Sequence, residues 1–329
     1  MNMKKFQRGL LIALMFVLGT GFCNAISVEF YVESDKGEKL PPNAGVAARN
    51  LAVVLDAINT AFFDKTHISN RNLRMSELAK KSVESIYASS PFYCTDEEFA
   101  AHVWVYSNSF EARNIPIMLT HKGEKFGDES FVYAVAEFDN SGTITDFRLQ
   151  ISTHDASRWE ELKEEYNEVT DLRQQEIVLR TLENFRTAYC RKDIQTIEDM
   201  FSDQALIITG RVTQRVTQGD RRMMTPKVTY NRQTKQEYIA NLKKAFLRNK
   251  FVKVDFEPAS IEIKRSDKDH SMFGIKLKQS WESTNYSDKG TLFLIFQFPE
   301  GRDPIIHVRT WTPEGFENDD ISTLSGFGL

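Results

Sequence analysis

The segment "FRTAYCRKDIQTIEDMFSDQALIITG", Phe185 to Gly210, constrains the fold more than any other part of the chain. One helix ends, a short second helix follows and a strand begins, with few residues between them. Val178, Leu182, Phe185 and Tyr189 recur at helical spacing and make one apolar stripe. Asp193 stands where the next helix needs an acceptor for its free N–H groups. Ile194, Ile197 and Phe201 then repeat at i, i+3 and i+7. Ser202–Asp203 breaks that helix, and "ALIIT" starts a strand. A third helix is predicted from Thr234, with Glu237 at the capping-box position and Tyr238, Leu242, Ala245 and Phe246 on its buried side. Strands are predicted at Val252–Phe256, Ile261–Ile263, Phe273–Glu282, Thr291–Phe298 and Ile305–Trp311. Helices followed by a long meander define an α+β domain.

The first half has the same order. Helices are predicted over Ala47–Phe63 and Ser76–Ala88, then strands at Val103–Tyr106, Ile115–Leu119, Phe131–Phe138 and Ile144–Ile151, with "FDNSGTI" as a hairpin turn. "NTAFFDK" (Asn59–Lys65) resembles "RTAYCRK" (Arg186–Lys192), and "YAVAEFDNSGTITDFRLQ" matches "FLIFQFPEGRDPIIHVRT" in pattern. The two pairs are 127 and 160 residues apart, which places an insertion in the second half, with the basic segment from Arg211 to Arg232 as its candidate. Two copies of one fold account for this; chance similarity of short amphipathic pieces is the alternative. Residues 26–46 read as a strand and linker, 47–155 as the first domain, 156–171 as an acidic linker helix opened by Ser157, 172–313 as the second domain and 314–329 as a tail.

The N-terminus reads as a leader. Lys4, Lys5 and Arg8 precede an apolar run from Leu10 to Phe22, and Ala25 offers a small residue for cleavage. Residues 1–25 are therefore expected to be a signal peptide, and the mature protein to be exported to the periplasm or cell envelope. The run is short for a membrane span, which takes about 20 apolar residues, and none is expected after leader removal. Phe22 before Cys23 disfavours lipid attachment there. Cys94 and Cys190 fall in different predicted domains and are expected to stay free thiols.

The second half resembles the nuclear-transport-factor-2-like superfamily, which includes the SnoaL-type cyclases. The resemblance rests on Phe185, Ala188, Tyr189, Asp193, Ile197, Phe201, Ser202, Asp203, Ala205 and Ile207 and covers residues 172–313. The whole chain is also similar to exported Bacteroidetes proteins of unassigned function through "SDQALIITG" and "IHVRTW". The resemblance implies two tandem cone-like α+β modules, each with N-terminal helices packed on a curved antiparallel sheet. It implies little about chemistry, because the fold carries many functions.

Strand alternation puts His307, Arg309 and Trp311 on one face of the last strand, opposite Ile306, Val308 and Thr310. If that face meets the one bearing Gln279 and Trp281, then Tyr189, Gln279, Trp281, His307, Arg309 and Trp311 line one cavity. His307 would be a base near neutral pH and Arg309 an anion holder. Otherwise His307 and Arg309 make cross-strand contacts on an exposed face. No paired carboxylates, His–Asp pair or metal-ligand spacing stands out, and no catalytic residue, metal or cofactor is expected. Arg211 to Lys253 carries twelve Lys and Arg against Asp220 and Glu237, in a chain of net charge −4. Arg211, Arg215, Arg221, Arg222, Lys227 and Arg232 form the candidate basic patch, read as an exposed loop. An exported chain without a stacking motif argues against nucleic acid. A protein or anionic envelope component, or a small ligand, is the expected partner class. The leading expectation is a non-enzymatic binding or assembly module of the cell envelope; the alternative is an enzyme or small-ligand receptor using the second cone.

Overall fold

The computed structural model describes residues 25–32, 39–69, 71–120, 129–151, 168–213, 227–299, 303–316 and 318–329. The leader before Ala25, most of the expected acidic linker helix and positions 214–226 of the basic segment lie outside them.

The first module contains β1 (Ser27–Tyr31), α1 (Ala44–Phe63), α2 (Glu77–Ser89), β2 (Phe92–Cys94), β3 (Glu98–Val105), β4 (Ser109–Thr120), β5 (Glu129–Asp139) and β6 (Ile144–Leu149). Its strands run in the order β1-β3-β4-β5-β6, with β2 also paired to β4. Ser76 caps α2 by accepting from the Ala79 N–H. The β5–β6 turn closes on Gly142 at φ 82, while Asp139 accepts from the Ser141 and Thr143 N–H groups. By length and composition α1 could cross a membrane, but Leu51, Val54, Leu55 and Ile58 are fully buried against the sheet. Phe92, Phe110, Phe138 and Phe147 fill the space beneath it, with Phe110 stacked on Phe138 at 5.1 Å.

The second module contains α3 (Glu168–Cys190), α4 (Ile194–Met200), β7 (Phe201–Thr213), β8 (Lys227–Thr234), α5 (Lys235–Arg248), β9 (Val252–Phe256), β10 (Glu262–Arg265), β11 (Met272–Ser283), β12 (Ser287–Gln297) and β13 (Ile305–Pro313). The sheet order is β10-β11-β12-β13-β7-β8, with β9 on β11. Asp193 caps α4, and Thr234 with Glu237 makes a complete capping box on α5. The sheets are mixed rather than purely antiparallel: β1 runs parallel to β3, and β7 parallel to β13. The long crossover through β8, α5 and β9 to β12 allows the chain to return in the same direction. The last residues are no free tail. Thr310 donates to the Ile321 carbonyl, and Phe327 stacks on Phe293 at 6.2 Å.

The two modules repeat one plan. β2 and β3 share one edge of β4 as β9 and β10 share one edge of β11. The cross-strand row Ile115–Ala134–Leu149 recurs 160 residues on as Ile275–Leu294–Arg309. Where the second module has the long β7–β8 hairpin, the first has a single parallel bridge from Met75 to Ile144.

α3 belongs to both modules. Leu182, Phe185 and Tyr189 enter the second core. Its other side brings Arg180 and Glu183 onto the outer face of the first sheet, where Glu111, Arg113, Glu137 and Arg148 wait. Arg113 donates to Glu183 at 2.6 Å and to Glu111 at 3.0 Å, and Arg148 pairs with Glu111 and with Glu183. Arg180 reaches Glu111 and Glu137, each at 2.9 Å, and Arg191 reaches Asp146. Glu111, Arg113, Arg148 and Glu183 are at most 2% exposed. Four carboxylates meet four guanidinium groups, so the cluster is neutral as a whole. That balance is what makes its burial tolerable.

Candidate functional site

The interior of the second cone is where polar chemistry enters an otherwise apolar core. Phe273, Ile275 and Leu277 of β11 face inward, and the same parity carries Gln279 and Trp281 inward. From α3, Tyr189 meets Trp281 edge-on, with centroids 6.1 Å apart.

β13 departs from simple alternation. Phe296 pairs with Ile306, but Ile295 pairs with Val308, so His307 is the extra residue of a β-bulge. Ile306 therefore joins Arg309 and Trp311 on the inner face and is fully buried. His307 leaves that face, half-buried, with Nε2 3.0 Å from Gln297 Oε1. This corrects the expected grouping of His307 with Arg309 and Trp311. One inserted residue reverses the parity of everything before it, and no glycine or proline marks the insertion. Burial also lowers the His307 imidazole below its ordinary pKa.

Arg309 is 6% exposed, and its Nε and Nη1 have no hydrogen-bond partner. Its guanidinium carbon lies 5.2 Å from the centroid of the Tyr238 ring. The Tyr238 hydroxyl is 2.7 Å from that of Tyr189. Burial opposes the charge on Arg309, but Tyr238, Tyr189 and Asp288 more than offset it, so the group stays cationic. Burial, reinforced by Tyr238, pushes the Tyr189 phenol well above its ordinary range. Asp288, half-buried and paired in register with Trp281, accepts from the Tyr286 hydroxyl at 2.6 Å. Burial raises the Asp288 carboxyl, while Tyr286 and Arg309 pull it the other way. Burial and Asp288 together push the Tyr286 phenol up to about 12.

Tyr238, Tyr286 and Asp288 were not among the candidates the sequence suggested. Asp288 shares the parity of Leu292, Leu294 and Phe296, so starting that strand at Ser287 instead of Thr291 would have turned it inward. Tyr238 was legible as a buried helix residue, but its hydroxyl partner lies 49 positions away.

The basic segment is not wholly a loop. β7 continues to Thr213 and β8 begins at Lys227, so Arg211, Lys227 and Arg232 lie on an exposed hairpin. Thr213 pairs with Lys227, and Ile208 pairs with Arg232. Arg211 and Lys227 therefore follow the parity of Ile207, whereas Arg232 takes the opposite face. Arg215, Arg221 and Arg222 lie outside the described residues, as do His121 and His154. Among the described residues no three His, Cys, Asp or Glu side chains converge as a metal site. Cys94 and Cys190 are free thiols, one in each core, and burial pushes Cys94 up to about 11.

No protein-family profile and no curated protein matches the chain. Among solved structures it is similar to an NTF2-like protein of unknown function from Shewanella oneidensis, at 14% identity and a TM-score of 0.31, over 42% of this chain and 98% of that one. An NTF2-like protein from Cytophaga hutchinsonii gives 13% identity and a TM-score of 0.31, over 43% and 98%. A Bdellovibrio bacteriovorus protein gives 14% identity and a TM-score of 0.33 over 45% of this chain, which spans only 44% of that relative. What the site can do rests on its own residues.

Proposed function

We propose that this protein is a non-enzymatic binding module that works outside the cytoplasm, in the periplasm or cell envelope, and that its second cone holds a small ligand. The observation that carries this reading is the bulge at His307. It removes from the cone the histidine that could have acted as a base near neutral pH. The groups that remain deepest are suited to holding rather than to moving protons. Arg309 stays charged, Tyr189 stays protonated and Gln279 does not titrate, while the inward carboxyl of Asp288 is tied to the Tyr286 hydroxyl. The first cone, filled with phenylalanine, serves as a rigid partner fastened to α3 by the buried ion cluster. Export rests on the leader pattern of residues 1–25.

Native mass spectrometry of the mature protein isolated from its own envelope fraction tests the reading. The expected result is a small non-covalent adduct that leaves unchanged when the protein unfolds. An adduct converted to a different mass over repeated turnovers would replace binding with catalysis. A second reading, docking of a protein or anionic envelope component, draws on the exposed Arg211, Lys227 and Arg232 of the β7–β8 hairpin. Its mark is partner capture that weakens steeply with salt and is lost when the three become glutamine.

A further inference from the structure

Arg309 is a buried cation with donors to spare. An unmet buried donor is costly, and an unmet buried charge more so. The fold does not ask for it. At the same point in the first module, the row Ile115–Ala134–Leu149 ends in leucine where Ile275–Leu294–Arg309 ends in arginine. Leu149 packs against its core without difficulty, so the second module has a cation where the repeat supports an apolar residue. The surrounding groups satisfy it only in part. The Tyr189 hydroxyl accepts from it and the Tyr238 ring lies against it, but those two hydroxyls are also bonded to each other, Asp288 is bonded to Tyr286, and Nε and Nη1 of Arg309 are left over.

We infer that Arg309 anchors a small carboxylate-bearing ligand with a flat apolar body, which lies against Trp281, Trp311 and Tyr189 inside the second cone. This rests on the reading of that cone as a binding site. A carboxylate suits one guanidinium flanked by the neutral donor Gln279. A phosphate would call for a second cation. Among the described residues, the inward positions of β11, β12 and β13 carry no Lys or Arg besides Arg309. The aromatic walls favour a ring over an alkyl chain.

Calorimetry with 2-naphthoate and its neutral analogue 2-naphthamide, on the mature chain, tests the inference. Naphthoate is expected to bind at least tenfold more tightly than the amide. Asp288→Asn should tighten naphthoate binding, because it removes a negative charge that repels the ligand carboxylate and competes for the guanidinium. Arg309→Met should abolish it while the melting temperature of the ligand-free variant stays level or rises, as replacement of a poorly paired buried charge by an apolar side chain of similar length predicts. Arg309→Lys, which keeps the charge but loses the planar fork, should weaken binding without abolishing it. If Arg309→Met melts several degrees lower and still binds naphthoate, Arg309 is a structural residue and the inference fails. Equal binding of naphthoate and naphthamide, unchanged in Arg309→Met, also refutes it, yet leaves the cone standing as a binding site. If neither compound binds and the isolated protein carries no adduct, the inference and the reading beneath it both fall.

Discussion

Phe185 lies at the centre of the second core, 1% exposed, with its ring 4.8 Å from Tyr189 and 6.3 Å from Phe201. Truncation to alanine removes the ring from a site walled by two helices and a strand, which cannot all close in. Phe185→Ala is therefore expected to cost about 3–5 kcal/mol, read from urea melts. His307 provides the contrast. Its side-chain bond to Gln297 is only partly buried, and it takes little apolar surface into the core. His307→Ala should cost about 0.5–1 kcal/mol. A loss as large as that at Phe185 would mean that the imidazole belongs to the core after all. The difference lies in where each side chain points. For Phe185 that follows from helical spacing alone; for His307 it hangs on a bulge.

At the scale of elements, the helix ends were legible because capping is local. Asp193 and Thr234 each accept the backbone bond expected of them, and Ser76, read as the first helical residue, accepts one from Ala79. Thr234→Ala should lose about 1 kcal/mol, since it removes the hydroxyl that accepts from the Glu237 N–H and leaves only the backbone half of the capping box on α5. Thermal melts should show that loss, and Thr234→Asp should restore most of it. Strand pairing is less local. Gly290 of β12 pairs with Pro313 of β13, and a Cβ there would overlap the Thr312 carbonyl and crowd the Trp311 ring. Gly290→Ala should shift Trp311 and lower the melting temperature, which near-ultraviolet circular dichroism of the tryptophans would register. Nothing in "YSDKGTLF" announces that contact, because the neighbour is 22 residues away.

The whole molecule is held by the ion cluster between α3 and the first sheet. Glu183→Gln would leave Arg113 and Arg148 short of a counter-charge in a buried setting, at a cost of about 3–5 kcal/mol. If the cluster couples the modules, calorimetry should show one transition for the native chain and two for the variant. Acid should act through the same residues. Burial alone would raise the Glu111 carboxyl, but Arg148, Arg113 and Arg180 hold it below the ordinary carboxylate range. A carboxyl depressed in the folded state contributes stability that is complete above its unfolded pKa and is lost as pH falls through the folded one. Stability should thus decline on the acid side of about pH 4, and Glu111→Gln should flatten that slope in denaturant midpoints measured against pH. Export belongs at this scale too. Edman sequencing of the envelope fraction is expected to begin at Ile26, and a chain still starting at Met1 would contradict the leader.

The amino-acid sequence by itself determined the helix stripes, their caps, the order of elements and a faint repeat. Each of these follows from neighbours within a few positions, where spacing and backbone chemistry act directly. It also indicated that Tyr189, Gln279, Trp281, Arg309 and Trp311 could meet, because helix and strand periods are regular. Only the tertiary structure decided that His307 leaves that group, that the sheets contain parallel pairs, and that Glu183 is buried and Arg180 half-buried between the modules. A bulge is set by how two strands fit together, and a parallel pair by where the chain returns. A charge on a helix reads as solvated until another sheet covers it. Arg309 lies on that divide. Its position was visible in the alternation of β13, but its two unpaired nitrogens emerge only when three strands and two helices have closed around it.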